Sequence, residues 1–126
     1  MITVTDTKNF SLQLIEPKII KLVVVEGIEL ELADAKEMIA SAIELSKGNE
    51  YAILFNANKS GSISFEAREE FARSKKRKAV AIVTRSLANK LVGNFFINFH
   101  KPHSSSRIFT EEESAVDWLR AQMTQQ

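Results

Sequence analysis

The sequence predicts a single α/β domain with a mixed, mostly parallel sheet of about five strands and helices packed on it. Three observations carry this. The apolar run Ala79-Val80-Ala81-Ile82-Val83-Thr84 precedes a helical pattern of apolar residues, and Arg107-Ile108-Phe109-Thr110 opens straight into a second helix. Tandem strand–helix units imply parallel strands joined by helical crossovers. Earlier in the chain, two β-rich runs flank Pro17 closely enough to predict an antiparallel hairpin. The 126 residues, 44% of them apolar, suffice for one core without staples. One domain over 1–126 is expected, with 1–9 and 124–126 poorly ordered.

Each element has its own signature. Phe10-Ser11-Leu12-Gln13-Leu14 alternates apolar and polar, as a strand with one wet face does. Ile19-Ile20-Lys21-Leu22-Val23-Val24-Val25 is β-branched and nearly continuous, which predicts a strand covered on both faces. Gly27 marks a turn. Ala35, Met38, Ile39, Ala42 and Leu45 then share one face of a 3.6-residue period. Lys47-Gly48 ends that helix, a cation for the negative dipole end and a glycine for the left-handed cap. Tyr51-Ala52-Ile53-Leu54-Phe55 is the next strand. The polar loop at 56–62 leads to a helix from about Ser64, with Phe65, Phe71 and Ala72 as its expected buried side. After the strand at 79–84, Ser86 caps a third helix whose apolar face is Leu87, Leu91, Val92, Phe95, Phe96 and Phe99. Lys101-Pro102 stops it. Thr110 and Glu113 have the S/T-x-x-E spacing of a capping box for the last helix. Ala115, Val116, Leu119 and Met123 face inward there, with Trp118 at the edge of the stripe.

Composition excludes several classes. The chain has no cysteine, so it has no disulfide, thiolate metal site or thiol nucleophile. A net charge of +1 gives no strong field toward nucleic acid or anionic membrane. No run approaches the roughly 20 apolar residues needed to span a bilayer, and the first residues do not have the pattern of a signal peptide. A cytoplasmic protein is the expectation, without membrane insertion or nucleic-acid partner.

The order β-β-α-β-α-β-α-β-α, with four local signatures, resembles the STAS domain of sulfate transporters and anti-sigma-factor antagonists. The signatures are Leu32-Ala33-Asp34-Ala35-Lys36-Glu37, Ile63-Ser64-Phe65-Glu66-Ala67-Arg68, Gly93-Asn94-Phe95-Phe96 with Lys101-Pro102, and Arg107-Ile108-Phe109-Thr110 before Ala115-Val116-Asp117-Trp118-Leu119. The chain resembles a group of small, stand-alone, mostly uncharacterised bacterial proteins of this fold. The resemblance implies a non-enzymatic regulatory module that binds a protein partner, such as a kinase-like anti-sigma factor, and is switched by serine phosphorylation. The family's Asp-Ser-Ser-Gly or Asp-Ser-Thr-Gly sequence at the second helix is absent, and a phenylalanine stands near its phosphorylated hydroxyl. Ser60, Ser62 and Ser64 still crowd the segment. Only Ser64 lies at a helix start, where a phosphate meets free N–H groups, and an N-cap is the commoner role of a serine there. The implied partner surface comprises Asn56, Asn58, Lys59, Ser62, Ser64 and Arg68.

A second class of function is a carrier or sensor of a small apolar ligand, by analogy with CRAL-TRIO folds. Its residues are Phe95, Phe96, Ile97 and Phe99, which cannot all face one side of a helix; beside the plain reading as core, they suit an apolar pocket or a subunit contact. Ile97, together with an exposed edge at Phe10-Ser11-Leu12-Gln13-Leu14-Ile15, points to a homodimer, the alternative being a monomer whose edge Lys8, Glu16 and Lys18 keep soluble. The basic cluster Arg73-Ser74-Lys75-Lys76-Arg77-Lys78 reads as a solvated helix end. His100 and His103 flank Pro102 with no nearby carboxylate, so no metal or cofactor is expected. Asp34 and the acids at 111–113 read as helix-start acids.

Overall fold

The computed structural model describes residues 4–57, 63–85 and 105–124. In chain order the elements are β1 (Val4–Asp6), β2 (Phe10–Glu16), β3 (Ile19–Val24), α1 (Leu32–Leu45), β4 (Tyr51–Asn56), α2 (Phe65–Ala72), β5 (Arg77–Val83), β6 (Ser105–Phe109) and α3 (Glu112–Thr124). The six strands form one sheet in sequential order. β1, β2 and β3 pair antiparallel, whereas β3 through β6 run parallel. The α/β architecture matches the expectation, with one strand more.

The additional strand is β1. Val4 to Asp6, expected within an unordered terminus, pair with Gln13 to Ser11. β2 is therefore an interior strand, and β1 takes the edge that the sequence assigned to 10–15. Three residues carry too little alternation to be read as a strand. Pairing along β2 is what orders them.

The sheet has two dissimilar faces. On one, Met38, Ala42 and Leu45 of α1 pack with Phe10, Leu12, Ile20, Leu22 and Ile53, joined by Phe71 of α2. On the other, Ala115, Leu119 and Met123 of α3 pack with Ala52, Leu54, Ala79, Ala81 and Val83. Small residues on β4 and β5 let α3 approach closely. Leu54 and Leu119 are fully buried, and each contributes about 1.5–3 kcal/mol by leaving water. Trp118 lies at the edge of this stripe as expected, with its ring 5.7 Å from that of Phe109.

Three expectations are corrected by packing. β3 is covered on only one face along its second half: Val23 is exposed while Leu22 and Val24 are buried. α3 packs on β4, β5 and β6 and leaves that part of the sheet open among the described residues. Phe65 is exposed rather than buried, and Ala67 takes the inner position. At 3.6 residues per turn the two lie about 200° apart around α2. α3 begins at Glu112, with the Ala115 N–H donating to the Glu111 carbonyl at 3.3 Å. Glu111 thus occupies the cap position expected of Thr110.

The remaining helix ends follow the sequence closely. The Lys47 and Gly48 amides turn back to Glu44 and Ile43 at 3.1 and 2.9 Å. Both residues have positive φ, 57° and 79°, so the left-handed cap spans two residues. The basic cluster divides between elements. Arg77 begins β5 and is buried, Arg73 pairs with Glu70 and Lys78 pairs with Glu50, each pair at 3.0 Å. Burial lowers the Arg77 pKa, while Tyr51 opposes the shift. The third expected helix, with Ser86, Leu87, Leu91 and Val92, lies outside the described residues.

Candidate functional site

The candidate site lies where β3, β4 and β5 end together, since Val23 pairs with Asn56 and Asn56 with Val83. Carboxyl ends of parallel strands are the usual place for a functional surface in open α/β sheets, because the crossover loops converge there. The start of α2 closes this end. Ser64 caps that helix, its Oγ accepting the Ala67 N–H at 3.1 Å. Its own N–H donates to the Leu30 carbonyl at 2.9 Å, next to an isolated parallel bridge between Leu30 and Ile63. The segment entering α1 therefore holds the start of α2. One turn further along, Arg68 is half-buried, and its Nε is enclosed without a hydrogen-bond partner among the described residues.

Asn56 has a structural tie. Its Nδ2 donates to Glu112 Oε2 at 2.8 Å, and Lys21 Nζ donates to Glu112 Oε1 at 3.1 Å. Three elements, β3, β4 and α3, meet at this one carboxylate. Burial pushes the Glu112 pKa up, but hydrogen bonds from Lys21 and Asn56 and the Lys21 charge outweigh it. The group ends below the ordinary carboxylate value. Nearby, Arg85 pairs with Glu111 at 2.7 Å across the exposed surface.

Several acids lie at the start of α1. Asp34 Oδ2 accepts the Glu31 N–H at 3.0 Å and Oδ1 accepts Asn9 Nδ2 at 2.9 Å, so its helix-start role is confirmed. A hydrogen bond to Glu29 holds the Glu31 carboxyl above its ordinary value, assisted by desolvation and by the charges of Glu29, Glu66 and Asp34. Among the described residues no group of three acids and histidines has the arrangement of a metal site. None of the described helices is long and apolar enough to cross a membrane.

The structure thus brings Ser64, Arg68 and Asn56 to one end of the fold. Asn58, Lys59, Ser60 and Ser62 lie outside the described residues, as do Phe95, Phe96, Ile97, Phe99, His100 and His103. Sequence reasoning missed the Lys21–Glu112–Asn56 cluster. Its one visible signal was Lys21, the single charge inside an apolar strand run. It also missed the influence of Glu66, on α2, on the Glu31 carboxyl at the start of α1.

Comparisons with known proteins agree with this geometry at the level of fold. A structural neighbour is an uncharacterized protein from the DUF3478 family with a SpoIIAA-like fold, from Shewanella loihica PV-4. It superposes with a TM-score of 0.60 at 16% identity, over 92% of this chain and 90% of that one. The SpoIIAA-like fold is STAS-like, so the resemblance read from the element order holds. Among curated proteins none matches the sequence. The family whose pattern matches residues 13–123 is described as a domain of unknown function, DUF7793, and the chain belongs to that family.

Proposed function

We propose that this domain is a non-enzymatic protein-binding module of STAS type. Its partner surface is the end of the fold formed by the loop after β4 and the start of α2. The observation that supports the reading is the construction of that end. Ser64 caps α2 at the carboxyl edge of the parallel strands, and Phe65 beside it is 53% exposed. A large apolar side chain more than half exposed at a helix start suits a protein contact better than a packed core. Ser64 is also the residue through which phosphorylation would act. A phosphate there would gain the helix N-terminal amides but would face Glu31 and Glu66.

Affinity capture from the native cell, followed by hydrogen exchange of the isolated complex, tests the reading. The expected result is saturable binding of one partner with protection at residues 52–57 and 63–68. Protection confined to the α3 face, or no saturable partner, would overturn it. Incubating the complex with ATP and mapping phosphate on Ser60, Ser62 and Ser64 decides the switch separately from the binding.

A further inference from the structure

α3 is fastened to the sheet in two ways. Its apolar side, Ala115, Leu119 and Met123, packs with Leu54 and three alanines, Ala52, Ala79 and Ala81. Its polar ties reach further, past the strands it packs on, to β2 and β3. In the first turn, Glu112 takes Lys21 Nζ of β3 at 3.0 Å and Asn56 Nδ2 of β4 at 2.8 Å. Two turns on, Arg120 Nε and Nη2 both donate to Glu16 at the end of β2, the Nε at 2.9 Å, while Nη1 donates to Asp117 at 2.9 Å.

Each tie depends on one carboxylate. The charged group facing Glu112 is Lys21, and those facing Glu16 are Arg120 and, through it, Asp117; Arg85 pairs with the neighbouring Glu111. Hydrogen bonds from Arg120 hold Glu16 below the ordinary carboxylate value against a smaller effect of burial, and Glu112 is lowered as described above. A helix of 13 residues is marginal in water by itself, so α3 keeps its conformation only while docked. The two apolar clusters are also separate. The one on the α1 side contains no residue of α3 among the described residues, so the other can be lost while it persists. We propose that Glu16 and Glu112 form an acid-sensitive clasp: protonating both lets α3 leave the sheet as a unit while β2, β3, β4 and α1 keep their pairing and packing. The sign follows from linkage. The clasp is complete above the unfolded carboxylate value and is lost as pH falls through the folded values.

Trp118, the sole tryptophan, lies on α3 with its ring 5.7 Å from that of Phe109, so its emission follows the docking of the helix. The test is an acid titration of the full chain from about pH 7 to about pH 3, with Trp118 emission compared against the NMR amide signals of α1 and β3. The Trp118 transition should come first, by about one pH unit, with the α1 and β3 signals retained. Coincident transitions would overturn the proposal. At about pH 7, the Glu16→Gln/Glu112→Gln double variant should speed amide exchange at residues 115–123 about tenfold and that of α1 by less than about twofold. Equal acceleration in both groups, or none, would also overturn it. If the double variant fails to fold, the two single variants decide by the same comparison of α3 with α1. Asp117→Asn alters a carboxylate of α3 that does not reach the sheet. It should move the Trp118 midpoint less than Glu16→Gln does, and an equal shift would show that the tie to β2 is not what holds the helix.

Discussion

Ser64→Ala removes one hydrogen bond, and the structure sets its size. The Oγ accepts the Ala67 N–H at 3.1 Å, and Ala67 has no exposed surface. Alanine leaves that buried donor without its acceptor. Loss of an N-cap costs typically about 1 kcal/mol, and a buried unsatisfied donor costs about 1–3 kcal/mol. A loss of about 1–2 kcal/mol is expected. α2 has only eight residues and cannot hold its conformation without tertiary support, so the loss is read in the whole domain. Urea unfolding followed by Trp118 fluorescence and far-UV circular dichroism measures it. With a slope of about 1–2 kcal/mol per molar urea, the midpoint should fall by about 1 M at constant slope. Ser64→Asp keeps a cap acceptor and should remain within about 0.5 kcal/mol of the native domain. An alanine variant indistinguishable from native would refute the cap. An aspartate variant as unstable as alanine would show that Glu31 and Glu66 outweigh it.

Three further outcomes follow from the packing and electrostatics. Leu119→Ala, at a fully buried position of α3, should cost about 3 kcal/mol in the same unfolding assay. Glu112 has a lowered folded pKa, so its stabilisation is complete above the unfolded carboxylate value and is lost as pH falls through the folded one. Glu112→Gln should therefore lower the midpoint at about pH 7 and flatten its decline toward about pH 3, measured by denaturation across that range. Gly48→Ala places a side chain at φ 79° and should cost about 1 kcal/mol, read as a lower melting temperature by calorimetry.

The legible part of the fold was the local part. Strand and helix periods differ, and Ala35, Met38, Ala42 and Leu45 of α1 are buried as their spacing required. The break at Pro17 indicated the antiparallel pairing of β2 and β3. At the site, Ser64 was readable as a cap because a cap depends on residues three apart. Phe65 was misread because the first residue of a helix is placed by where the helix docks. Its period alone does not settle which side is wet.

Sequence by itself determined the fold class and the order and type of most elements, because the apolar period and the turn residues act over a few positions. Tertiary structure alone decided the edge at β1, the exposure of Val23, and the meeting of Lys21 and Asn56 at Glu112. Those partners lie 91 and 56 residues away from Glu112. Such contacts are chosen by how sheet and helices pack as a whole. The energy that holds them belongs to pairs which no local pattern of residue types records.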